Sequence, residues 1–195
     1  SGAFEPDLLE ITEFSESQWQ KLRPALEATG LIQPEHLPGV GVPYLKFHPT
    51  LAPALSSRLS SEVQTELLAR HRQWYYELSG YLYEEDSQNP HEIRAIAQRE
   101  LPNLLYAIHG ALDAGEEWAV YFVSNINRFL NYFGLNRDRT LLTQQVAQSS
   151  REVGFQTWYL TRFNLGEQLY SESRYPQAAQ VFHEMLAGLS EQPSY

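Results

Sequence analysis

From residue 61 onward the apolar positions recur every three or four residues, the period of helices that bury one face. Val63, Leu67, His71, Trp74, Leu78 and Tyr81 mark the first, with Ser61-x-x-Gln64 read as its capping box and "SQNP" at 87–90 as its break. Ile93, Ile96, Leu101, Leu104, Ile108 and Leu112 mark the next, with a kink expected at Pro102 and a stop near Gly115. The run 118–133, "WAVYFVSNINRFLNYF", is apolar on most sides, which predicts a deeply buried helix ended by Gly134. Helices over about 138–153, 156–171 and 175–189 complete the series. Helices joined by short breaks form antiparallel hairpins, stacked as a bundle or a solenoid.

The first sixty residues follow a different pattern. Ser15-x-x-Gln18 is a capping box, and Trp19, Leu22 and Leu26 then share one helix face. Pro24 is expected to kink that helix or mark its first turn, and Gly30 to stop it. Leu31-Ile32 and 44–47 are strand candidates around the loop "QPEHLPGVGVP". Pro49 suits the first turn of another helix, with Leu51 and Leu55 on its buried side. Helix, strand, loop, strand, helix is the layout of a winged-helix-like unit.

The last two helices carry a further spacing. "RFNLGEQLYSESRYPQAAQVFHEML" places Leu165-Gly166, Tyr175, Ala178 and Phe182 at tetratricopeptide-repeat offsets. Small residues at Gly166 and Ala178 let two helices approach closely, Leu165 and Phe182 plug the space on either side, and Tyr175 opens the second helix. Pro176 stands in a first turn, where its missing N–H costs nothing. Arg162, Leu169 and Ser173 depart from the repeat pattern, which has an aromatic, a tyrosine and a turn glycine at those places.

Composition narrows the function classes. Hydrophobic residues make up 43% and aromatics 13% of 195, enough to fill a core. With no cysteine, disulfides, thiolate metal sites and cysteine nucleophiles are excluded. Ser1-Gly2-Ala3 has no signal-peptide character and is compatible with an expression scar, and no apolar run reaches membrane-span length, so a cytoplasmic location is expected. A formal charge of −10, with basic residues scattered singly, argues against nucleic-acid binding. His36, His48, His71, His91, His109 and His183 form no H-x-x-x-H pair, so no metal site is expected; His71, on an apolar face, is expected to be a hydrogen-bonded core histidine. Glu84-Glu85-Asp86 reads as a solvated, fraying helix end. No nucleophile elbow or Gly-rich phosphate loop appears, and no catalytic residue is expected.

Four stretches together, "LEATGLIQPEHLP", "YLKFHPTLAP", "YYELSGYLYEEDSQNPHEIRAIAQRELPNLL" and "FNLGEQLYSESRYPQAAQVF", resemble one family. The chain is similar, over about residues 15 to 190, to the segment after the nucleotide-binding core in bacterial (cyanobacterial-type) NB-ARC/STAND signal-transduction ATPases with tetratricopeptide repeats. The resemblance implies an upstream P-loop core, a winged-helix domain, a helical linker and then repeats. It also implies a role for one histidine. In that family a Met-His-Asp motif sets its histidine on the ADP β-phosphate in the resting state, and Phe47-His48-Pro49 stands at the matching place, with Phe for Met and Pro for Asp. No G-x-x-x-x-G-K-[ST] is present, so this segment alone is expected to hold no nucleotide and no other cofactor.

The expected fold is therefore mainly α: a winged-helix-like unit over 1–59, α-hairpins over 60–154, and a tetratricopeptide repeat over 155–195, continuing a right-handed superhelix. The expected function is that of a non-catalytic regulatory and interaction segment of a multidomain signalling ATPase. His48 would sense nucleotide in the upstream domain, and Phe163, Glu167 and Tyr170 would line a groove for a protein partner. A winged-helix DNA-binding regulator with a helical dimerisation domain is the alternative, and a free-standing helical scaffold a third reading.

Overall fold

A computed structural model describes residues 2–149 and 155–190, with the side chains of 147–149, 155, 156 and 190 left aside. The protein is mainly helical with one small antiparallel sheet, and the chain divides into two compact units, Ser1–Gly110 and Ala111–Tyr195.

The first unit begins with a strand, β1 (Gly2–Phe4), and two helices, α1 (Glu5–Thr12) and α2 (Glu16–Ala28). A hairpin of β2 (Ile32–Glu35) and β3 (Tyr44–Phe47) follows, then α3 (Leu51–Ser56), α4 (Ser61–Glu85) and most of α5 (Pro90–Asp113). The sheet order is β1-β3-β2, so β3 is central, with Ala3 and Pro34 both opposite Leu45. Neighbouring side chains on a strand point to opposite faces. Leu45 accordingly packs with Trp19 and Ile32, while Tyr44 packs with Phe4 and Val40, and Ile96 of α5 covers that second cluster. The sheet is thus buried on both sides.

Several local readings hold and others need correction. The Ser15–Gln18 capping box is closed in both directions, and Gly30 ends α2 with a φ of +69°. Pro24 lies within α2 rather than at its start. Gly2 and Ala3 pair with β3 and are buried. The cap of α4 is Ser60, one residue earlier than expected; Gln64 instead donates to the carbonyls of Ser56 and Leu59, closing the turn after α3. Pro49 precedes α3, which starts at Leu51, and Leu55 is 50% exposed rather than buried. Asp86 is no solvated end: it is buried and takes two hydrogen bonds from Arg94, at 2.8 and 3.3 Å.

The second unit contains α6 (Ala119–Tyr132), α7 (Asn136–Ser149), α8 (Phe155–Ser171) and α9 (Tyr175–Ser190). α6 buries Val120, Phe122, Val123, Ile126, Phe129 and Leu130, as its apolar run predicted, and Gly134 ends it with a φ of +70°. The helix expected over 138–153 begins at Asn136; its expected end, Val153, lies outside the described residues. α8 packs against α6, α7 and α9. Its core with α9 consists of Leu169, Ala178, Val181 and Met185, with Leu165 and Phe182 against it. Gly166 is the close-approach point: a Cβ built there would lie 2.5 Å from the Phe182 ring.

Ser173 occupies the turn position where the repeat pattern has a glycine, and its φ is +60°. The Arg174 N–H reaches the Leu169 carbonyl at 2.9 Å and the Ser173 N–H that of Tyr170 at 3.0 Å, the paired bonds of a Schellman turn. A left-handed serine is strained, so Ser173→Gly is expected to stabilise the second unit by about 0.5–1 kcal/mol, read as a rise in thermal midpoint.

Candidate functional site

His48 sits where β3 turns into α3, and local bonds fix its backbone. Its N–H donates to the Leu31 carbonyl at 2.8 Å, and its carbonyl accepts from the Leu51 N–H at 2.9 Å. The exposed imidazole is held through Nδ1, 2.7 Å from the Thr50 hydroxyl. That leaves Nε2 as the nitrogen through which the ring would meet a ligand. Thr50 escaped the sequence reading, although a hydroxyl two residues beyond a turn residue is a recognised local bonding pattern.

An apolar groove of about 320 Å³ adjoins this histidine. Phe47 and Leu51, on either side of the His48 turn, form part of its wall, and Leu8, Trp19, Leu22 and Leu26 complete it from α1 and α2. Leu55, expected to be buried, also lines it, with Phe14. The face predicted for α2 therefore exists, and it borders a groove.

In the second unit Phe163, Glu167 and Tyr170 follow at spacings of four and three, which puts them on one face of α8. All three are exposed, Tyr170 by 62%. Tyr170 meets Tyr175 edge-on at 5.4 Å, so Tyr175 packs on the surface rather than within the hairpin. A separate cleft of about 450 Å³ runs between α7, α8 and α9, lined by Thr140, Gln144, Gln168, Gln177 and Gln180 among others. An ion pair of Arg162 and Glu184 at 2.8 Å, among its lining residues, joins α8 to α9.

A buried acidic cluster in the first unit has no counterpart in the sequence pattern. Glu100 on α5 is 0% exposed. Its Oε1 accepts the Phe4 N–H at 3.3 Å, and its Oε2 accepts the Tyr75 hydroxyl at 2.7 Å and the Asn103 amide at 2.6 Å. Asp7 on α1 is 7% exposed, and its Oδ2 has no hydrogen-bond partner. Burial, then the charge of Glu100, pushes the Asp7 carboxyl up to about 7, against a lowering effect of the Trp74 indole. Burial also raises Glu100, opposed by its hydrogen bonds, and holds the Tyr44 phenol up at about 12.

His71 is no hydrogen-bonded core histidine. Its Nδ1 is buried without a partner, and the ring packs on Tyr75 at 4.6 Å and Tyr106 at 5.6 Å. Burial, then the charge of Arg72, lowers its pKa to about 4, so the ring is neutral near pH 7. Among the described residues no three histidine or acidic side chains converge as a metal site would require, and no helix is long and apolar enough to cross a membrane. No protein-family model, curated protein or solved structure matches the chain.

Proposed function

We propose that the chain is a non-catalytic regulatory and protein-interaction segment of a multidomain signalling ATPase, with a winged-helix unit followed by tetratricopeptide-like hairpins. The observation that carries this reading is His48, exposed and held by Thr50 at the edge of a solvent-facing apolar groove. A histidine presented in this way, without a ligand group of its own unit around it, suits a contact with another domain. That domain would cover the groove and bring the nucleotide.

The connectivity is in keeping with this reading. Two helices lie between the edge strand β1 and the β2–β3 hairpin, and β3 pairs with both strands, as in winged helices. The stacking of α8 on α6 and α7 as well as on α9 suits repeats that bury their faces against their neighbours. Phe163, Glu167 and Tyr170 would then form part of the partner groove, where exposed aromatics supply contact area. The reading frame upstream should encode a G-x-x-x-x-G-K-[ST] loop; an unrelated frame, or a start codon there, would overturn the reading.

The same connectivity favours a DNA-binding alternative, but the cations nearest the sheet are already engaged. Arg23 pairs with Glu5 and Glu27, and both Lys46 and Arg99 pair with Glu35. Three cations so paired, on a chain of formal charge −10, weaken the case for counterion release from a phosphate backbone. In a low-salt filter-binding assay duplex DNA should pass unretained, and salt-sensitive retention would favour the alternative.

A further inference from the structure

We propose that Asp7 and Glu100 form a proton-dependent latch, in which a proton on Asp7 keeps β1 docked on α5 and α1 docked on α4, and its loss loosens that segment. The hydrogen bonds between the segment and α5 converge on one place, beside the packing of Ile96 on the Phe4 cluster, while the β1–β3 ladder and the contact of α1 with α4 hold the segment elsewhere. Glu100 takes the backbone N–H of Phe4, and Asn103, bonded to Glu100, donates to the backbone carbonyl of Gly2 at 2.7 Å. Three donors converge on Glu100, an arrangement suited to the ionised form. Three residues beyond Phe4, Asp7 is buried with an unpartnered oxygen.

The groups facing Asp7 offer it no compensating cation. From α5 comes the Glu100 carboxyl, and from β3 the Tyr44 phenol. From α4 come the Tyr75 phenol and the Trp74 indole, whose N–H closes no hydrogen bond of normal geometry. His71, stacked on Tyr75, is neutral at the relevant pH. Arg99 lies over the Tyr44 ring and is paired with Glu35, and its influence falls on Glu100 and Tyr44. Two buried carboxyls without such a cation cannot both ionise cheaply, so one keeps a proton.

The sign follows from the raised value of Asp7. The docked state needs a proton that the loosened state gives up more readily, so docking is favoured in mild acid and weakens as pH rises through about 7. Because Leu8 and Thr12 of α1 line the apolar groove, the latch also sets the state of one groove wall.

Hydrogen exchange of the intact chain tests this, with the amides of 2–12 normalised to those of α6. Between pH 6 and pH 8.5 the relative protection of 2–12 is expected to fall about tenfold or more in the wild type. It should stay level in Asp7→Asn, whose amide keeps the shape and carries no charge. Level protection in the wild type, or an equal fall in Asp7→Asn, would overturn the proposal. Should the variant fold poorly, the carboxyl 13C shift of Asp7 in the wild type decides: a midpoint near neutral supports the latch, and one in the ordinary carboxylate range sinks it.

Discussion

Replacing Leu45 with alanine is expected to cost the first unit about 3 kcal/mol or more, by the usual loss for a fully buried leucine. Leu45 is 0% exposed and lies in the central strand, packed with Trp19 and Ile32. β3 is hydrogen-bonded on both edges, to β1 and β2, so the backbone has little freedom to collapse into the cavity. The loss should therefore fall in the upper part of the range for such truncations. Leu45→Met, which keeps the volume, should cost less than about 1.5 kcal/mol. Chemical denaturation followed by tryptophan fluorescence reads both, since Trp19 is a direct neighbour. Equal midpoints for alanine and methionine would show that packing at this position is not what holds the sheet.

Gly166→Leu should destabilise the second unit by about 2–3 kcal/mol through overpacking. A Cβ at this position would lie 2.5, 2.6 and 3.1 Å from three atoms of the Phe182 ring, before the rest of the leucine is placed. The ring packs against the Leu169–Met185 core and lies 6.5 Å from Phe163, so displacing it disturbs the exposed face of α8 as well. Gly166→Ala should be milder, because alanine regains about 1 kcal/mol of helix propensity. Trimming the ring in Gly166→Leu/Phe182→Leu should recover part of the loss, a coupling that a double-mutant cycle measures directly. An additive cycle would remove the close approach as the cause.

What the sequence made legible was local. The α6 core and the caps at Ser15 and Gly30 could be read because each depends on residues a few positions apart. Ser173 could be identified as a turn position for the same reason. β1 and α1 were missed because three strand residues carry no periodicity of their own, and their partner strand lies some forty residues on. Glu100 looked like one more polar position on α5; its burial depends on β1 arriving over it. Leu55 and Asp86 failed in opposite senses: an apolar residue borders an open groove, and an acid at a helix end is drawn inward by Arg94. At His48 the exposed turn was legible, whereas the Thr50 contact that orients the ring was not.

The central claim is that His48 meets a nucleotide held by another domain, and ADP release tests it most directly. In a polypeptide extended upstream through the proposed P-loop domain, release of labelled ADP should quicken about tenfold or more in His48→Ala, the loss of one charge-assisted hydrogen bond. Thr50→Ala, which frees the ring without removing it, should fall between that variant and the wild type. Release at the wild-type rate from His48→Ala would contradict the account.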